Sequence, residues 1–259
     1  PSSSQETGQL PHLPEPSRQG LPVGPRLVGG TSFAGKSALD AAQVQSLAQA
    51  CLEGIEAARQ VVFVWQRKGH SLEEIYLRGI LPCARLIGEW WTADKLDFVM
   101  CNIGYCHLQK LLHDFSAEFL QEAPQARNGW SLLLLTEPGS QHSMGLFMLS
   151  EFFKRAGWAV TLGVPQDVTE FKRLFHSDWF DAVGLSVSTD RHLDRLAALL
   201  PSLRQGSDNL GLSVFVGGPM ASVAPERLQG LGVEVLTDDV SATVARITEA
   251  MSGTTAKVS

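Results

Sequence analysis

The sequence predicts an α/β protein: a helical bundle followed by a doubly wound sheet of five parallel strands. Two observations carry that expectation. Through residues 38–123, apolar residues recur at three- and four-residue spacing, the period of an amphipathic helix. From Trp130 onward, five short apolar runs alternate with amphipathic segments, the pattern of repeated βα units around a parallel sheet. The stretch 124–129, Pro-Gln-Ala-Arg-Asn-Gly, separates the two patterns and reads as a linker.

Taken in order, residues 1–36 are rich in Pro, Ser, Gly and Gln and poor in apolar residues. Such a segment buries too little surface to offset its ordering entropy, so it is expected to be a disordered arm, with Ser37 as the first helix cap. The bundle is expected over 37–123. Its first helix carries Val44, Leu47, Ala48, Cys51, Leu52, Ile55 and Ala58 on one face. The denser run Val61–Trp65 either continues that helix or interrupts it. Ser71-Leu72-Glu73-Glu74 resembles a capping box opening the next helix, and Pro82 either kinks that helix or starts another. Further helices are expected over about 81–91 and 96–122. In the second domain, 130–253, strands are expected at 131–136, 159–163, 181–187, 212–217 and 233–236. Helices are expected near 143–156, 167–176, 190–205, 220–229 and 239–251, with a disordered tail at 254–259. The architecture is Rossmann-like, of the flavodoxin type.

Composition limits the function classes. The chain has 259 residues, 44% of them hydrophobic, enough for one large or two modest domains. A net charge of −6 argues against electrostatically driven contact with DNA. The four cysteines, Cys51, Cys83, Cys101 and Cys106, form no CxxC pair and lie in apolar helical stretches, which reads as buried reduced thiols in a cytoplasmic protein. No apolar run reaches the ~20 residues of a membrane span, and the first residues do not read as a signal peptide.

The chemistry concentrates where apolar runs end. Leu132–Leu135 is a buried-strand pattern that stops at Pro138-Gly139 and then presents Ser140, His142 and Gly145 before an amphipathic segment. Ligands of open parallel sheets bind outside the carboxyl ends of the strands, so His142 falls where a cofactor would lie. Ser186-Val187-Ser188 ends the third run and Gly217-Gly218 the fourth, which brings all three to one sheet edge. Taken alone, His142 fits a loop histidine and Gly217-Gly218-Pro219 an ordinary helix-entry turn. His70, His176 and His192 read as surface or turn residues.

These residues resemble the pattern of cobalamin-binding domains, Asp-x-His-x-x-Gly, then Ser-x-Leu, then Gly-Gly. The resemblance implies that His142 is the cobalt ligand, that Ser140, Ser143, Met144 and Gly145 surround it, and that Ser186, Ser188, Gly217 and Gly218 line a slot for the displaced dimethylbenzimidazole tail. The bundle is similar to the cap that precedes this domain in methionine synthase and in cobalamin-based photoreceptor regulators. There the mark is a Trp followed about ten residues later by Glu-His. Gly88–Lys95 looks like the cap segment, with Trp91 facing the cofactor, but Cys101 and Asn102 hold the Glu-His positions. Ser140 stands where the family has Asp, which weakens the methyltransferases' proton relay. Cys106-His107 is an alternative source of an axial ligand.

The wider resemblance, over about residues 45–250, is to the AerR/PpaA antirepressor family (SCHIC-like) of photosynthetic bacteria. It implies a cobalamin-binding, light- or redox-responsive regulator that is not an enzyme, holds the hydroxo or aquo form, and acts on a PpsR/CrtJ-type DNA-binding repressor. Heme bound on the same scaffold is the alternative cofactor, as described for the related domain of the AppA regulator. A corrinoid carrier for a methyltransferase is the alternative from another class.

Overall fold

The structure is a computed structural model and describes residues 38–122, 126–140, 143–205, 209, 211–236 and 239–255. The expected arm, part of the linker, Ser37, His142 and residues 256–259 lie outside the described residues.

The bundle opens with α1 (Ala41–Glu53), capped by Asp40 rather than Ser37. The Asp40 side chain accepts from Gln43 N at 2.8 Å and the Gln43 side chain accepts from Asp40 N at 3.0 Å, so two donors at the helix start are satisfied reciprocally. Gly54 ends α1, and α2 (Ile55–Arg67) follows at once. The dense run 61–65 is therefore helical. Val62 and Trp65 face the core, and the density arises because Phe63 points outward, 40% exposed.

Ser71 starts α3 (Leu72–Glu74), accepting from Glu74 N at 3.2 Å. The chain then passes through a π-helical turn (Ile75–Ile80) into α4 (Leu81–Thr92). Leu81 N–H bonds Tyr76 O, an i−5 bond, directly before Pro82. The widened turn carries the helix past a residue that has no N–H to donate. Asp94, at φ 55°, closes α4, with Asp94 N–H bonding Trp91 O at 3.1 Å and Lys95 N–H bonding Trp90 O at 2.8 Å. The long α5 (Phe98–Glu122) completes the bundle.

Of the four cysteines, Cys51, Cys83 and Cys101 are buried as expected, but Cys106 is exposed. Its apolar neighbours misled the reading, because Cys106 lies on the outward stripe of α5. A hydrogen bond with Cys51, then burial, push the Cys83 thiol far above its ordinary range, and burial raises Cys101, so both stay protonated.

The second half is a parallel five-stranded sheet ordered β2-β1-β3-β4-β5, the flavodoxin-type order. Its strands are β1 (Ser131–Thr136), β2 (Ala159–Gly163), β3 (Ala182–Ser186), β4 (Ser213–Gly217) and β5 (Glu234–Val235). Its helices are α6 (Met144–Arg155), α7 (Val168–Phe175), α8 (Asp190–Gln205), α9 (Pro219–Val223) and α10 (Val240–Thr255), with a 3-10 turn at Pro225–Leu228. Helix α10 runs through 254 and 255, two residues into the segment expected to be a tail.

Strand alternation explains the layers. Leu132 and Leu134 pack into a core shared with α6, α10 and the bundle. Leu133 and Leu135 pack into a second core with α7, α8 and α9. The bundle thus covers one side of the α/β domain through α6. Phe119 of α5 stacks on Tyr76 at 4.7 Å and meets Phe152 of α6 at 4.9 Å, with the Arg155 guanidinium 4.1 Å above its ring. Arg155 also pairs with Glu73, and Ser116 donates to the buried Glu151. His70, expected at the surface or in a turn, follows the turn after α2 but is 8% exposed, with Nδ1 3.0 Å from Glu74. His176 is exposed.

Candidate functional site

The strand register sets the floor of the site. Thr136 lies beside Ser186, and Ser186 beside Gly217, so three small residues end three adjacent strands in line. This is the carboxyl edge, and β1/β3 is where the strand order reverses, the position at which open α/β sheets bind ligands.

The described part of the loop after β1, residues 137–140, is anchored at several points. Glu137 N donates to Ser186 O at 3.3 Å, Gly139 N to Pro165 O at 2.9 Å, and Ser140 N to Glu137 O at 3.1 Å. Arg195 of α8 donates to Pro138 O at 3.2 Å. The Glu137 carboxylate, 3% exposed, accepts from Ser188 Oγ at 2.7 Å and Ser188 N at 3.3 Å, which ties the loop after β1 to the loop after β3. A buried carboxylate needs such donors to offset its lost hydration. Ser188, 2% exposed, is therefore a strut of the switch point. Sequence reasoning missed Glu137. The signal was present in the Ser at 188, where the family pattern has Leu, because a buried hydroxyl calls for a polar partner.

The motif glycines divide into two kinds. Gly218 has φ +97° and caps α9, and a Cβ there would lie 2.8 Å from Val187 O. The helix-entry reading of Gly217-Gly218-Pro219 thus accounts for Gly218 without any ligand. Gly145 and Gly217 are different. A Cβ on Gly145 meets nothing within 4 Å, and one on Gly217 meets only Leu236, at 3.8 Å. Nothing among the described residues requires glycine at either position, and with Gly145 exposed and Gly217 half-buried a ligand could approach both backbones closely. Thr136 adds a second sign, since its hydroxyl is buried and bonds no described residue. An unsatisfied buried hydroxyl costs about 1–3 kcal/mol, so a partner is expected from the adjoining loop or a bound group. These residues fit a large group lying across the edge.

Ser140 and Ser143, the described residues on either side of the pair 141–142, are both held. Ser140 is 3% exposed, and Ser143 Oγ accepts from Gln109 of α5 at 3.2 Å. Met144, half-buried, opens α6.

Helices α5 and α6 run side by side in the same direction, with Gln109 meeting Ser143, the His113 ring tilted against Phe147 at 4.1 Å, and Ser116 on Glu151. Residues 98–108 therefore extend past the start of α6, roughly 16 Å at 1.5 Å per residue. This overhang carries Phe98, 58% exposed, and Val99, 62% exposed, together with Asn102 and Cys106. Asn102 donates to Phe98 O at 2.7 Å. Trp90 and Trp91 are half-buried against the bundle core at the end of α4. His107 is turned the other way, its Nδ1 on Cys51 O at 2.7 Å, toward α1 rather than the edge. Among the described residues no group of three His, Cys, Asp or Glu side chains could hold a metal ion.

Residues 130–247 match the family described as the B12 binding domain. That match covers the sheet, the anchored loop and the motif glycines. A curated relative, the "uncharacterized 20.5 kDa protein in bchF-crtJ intergenic region" of Rhodobacter capsulatus, is 28% identical over 177 residues, 67% of this chain and 90% of the relative. The fold is similar to the monomethylamine corrinoid protein of Methanosarcina barkeri, with a TM-score of 0.65 at 12% identity over 78% of this chain and 94% of that one. No helix among the described residues is long and apolar enough to cross a membrane.

Proposed function

We propose that this protein binds cobalamin at the carboxyl edge of its sheet and works as a non-enzymatic sensor that relieves repression by a PpsR/CrtJ-type repressor. The observation that carries the binding half is the unfilled room at Gly145 and Gly217, beside the orphaned Thr136 hydroxyl, inside the segment that matches the B12 binding domain. Bound cobalamin would supply a cobalt centre responsive to light or redox state.

The chain's own residues have distinct parts in this reading. His142, by its place in the motif, would be the imidazole that ligates the cobalt. Ser140 cannot give that imidazole the charged acceptor an Asp would, so the ligand is held without a strong proton partner. That favours binding and sensing over turnover. Trp91, Asn102 and the apolar start of α5 would cover bound cobalamin and exclude water from it. The relative's place beside crtJ supports the choice of repressor, and the net charge of −6 favours a protein partner over DNA.

The test is an absorbance titration of the full chain with hydroxocobalamin, in darkness and after light, alongside His142→Ala. Spectral change in the wild type and its loss in the variant are expected, as is release of a CrtJ-type repressor from its operator on adding the loaded protein. A Soret band on heme titration that cobalamin fails to displace would reassign the cofactor. Methyl transfer from methylcobalamin to a thiol would overturn the non-enzymatic part.

A further inference from the structure

The two edges of the sheet are built differently. β5 is two residues long and charged, with Glu234 paired to Arg246 at 3.2 Å. Short strands and charges are how natural sheets keep an edge from pairing with another chain. β2, which ends the sheet on the other side, has neither device. It is five residues long, and no charged residue occurs from Ala156 to Pro165. Ala159 and Thr161 are exposed, and Val160 and Leu162 are half-buried. The backbone phase follows from one bond. Ala159 N donates to Trp130 O at 2.9 Å, so Ala159 and, by alternation, Thr161 and Gly163 turn N–H and C=O toward β1. Val160 and Leu162 turn theirs outward, where no described strand lies. We propose that the β2 edge docks a second copy of this chain, in antiparallel pairing about a two-fold axis through Thr161.

A second copy suits this edge because the edge is complementary to itself. An axis at Thr161, the middle of the strand, overlaps its whole length and sets Val160 opposite Leu162 of the second copy. These are the residues whose backbone groups turn outward, and each such pair exchanges both its N–H···O bonds. An axis between two residues would set outward groups against inward ones. Val160 and Leu162 pack against the core on the α6 side, so their pairing across the axis carries that apolar layer from one copy into the next. On the other face Thr161 meets its own counterpart. An identical strand brings no like charge to the axis, since this one carries none. Two-fold pairing uses the β2 edge of both copies and leaves only the short, charged β5 edges outside, so association closes at the dimer. The carboxyl ends of β1, β3 and β4 stay clear of the contact.

Sedimentation velocity of the full chain over a concentration series, alongside amide hydrogen exchange, tests this. Wild type is expected to dimerise, and the Val160 and Leu162 amides to gain protection as the dimer fills. Thr161→Lys sets two ammonium groups across the axis, where the Cα atoms of a non-hydrogen-bonded pair lie about 4.5 Å apart, and should weaken the dimer about tenfold. Thr161 is exposed, so circular dichroism of the variant should match wild type. Mixing Thr161→Lys with Thr161→Glu should restore dimers. In a Cys106→Ser background, chosen because Cys106 is exposed, Thr161→Cys should cross-link to itself under diamide. Ala159→Cys, about 14 Å from its counterpart along the strand, should not. A chain that stays monomeric throughout, or a dimer indifferent to Thr161→Lys, overturns the inference. Protection of Val160 and Leu162 that arises only when the proposed repressor partner is added gives the edge to that partner and overturns it as well. None of these readouts uses cobalamin, so the proposed cofactor stands or falls separately.

Discussion

Gly145→Leu separates folding from binding. Gly145 lies in the first turn of α6, and a Cβ there meets nothing within 4 Å. Glycine in a helix costs roughly 0.5–1 kcal/mol relative to alanine, so a good helix former should leave stability unchanged or raise it by up to that amount. The same side chain would fill the open space before the sheet edge. Crowding a fitted site by a few methylenes costs about 1–3 kcal/mol, which is about a five- to 150-fold loss of affinity. Urea unfolding followed at 222 nm gives the first quantity and titration with hydroxocobalamin the second. Gly218→Ala is the contrast, because φ +97° and Val187 O at 2.8 Å make it destabilising. If Gly145→Leu binds hydroxocobalamin as tightly as wild type, the space before α6 is not where the cofactor lies. If it unfolds the protein, the open-space argument itself is wrong.

Other outcomes follow from the packing and the buried polar groups. Ser188→Ala removes the hydroxyl donor of the buried Glu137 carboxylate while leaving the backbone donor of residue 188, and should cost about 2 kcal/mol, read from denaturant midpoints at constant slope. Phe119→Ala removes the ring between Tyr76, Phe152 and Arg155 and should cost about 3–5 kcal/mol. The chain has two tyrosines, of which Tyr76 is buried and Tyr105 half-buried. Burial pushes Tyr105 up to about 12 and Tyr76 higher still. The folded values lie above the unfolded one, so their contribution to stability is complete below about pH 10 and is lost as pH rises further. Absorbance at 295 nm should show no phenolate below about pH 11 unless the protein unfolds first.

The sheet was legible because a parallel strand buried on both faces is written as a short apolar run, as in β1 at 131–136, and because the edge strand β2, exposed or half-buried along most of its length, still falls at 159–163 where the alternation of segments puts it. The edge position of Ser186, Gly217 and the loop after β1 followed from the same pattern. Pairing between distant side chains was not legible. Nothing in the local sequence links Glu137 to Ser188, 51 residues away, or Gln109 to Ser143, 34 residues away. Cys106 was misjudged because helical spacing identifies a stripe but not which stripe is covered. Asp40 displaced Ser37 as the cap because Gln43, three residues on, returns its hydrogen bond.

The π-helical turn at Ile75–Ile80 sets the angular phase of everything after it. One extra residue per turn rotates the downstream helix by about 100° relative to an uninterrupted α-helix. Trp90 and Trp91 are aimed by that offset as much as by their own neighbours. Deleting a single residue from the turn would keep the helix and every contact residue in the chain, yet swing both indoles to another side of the bundle. The face that α4 presents is thus encoded by a count of residues some ten positions upstream.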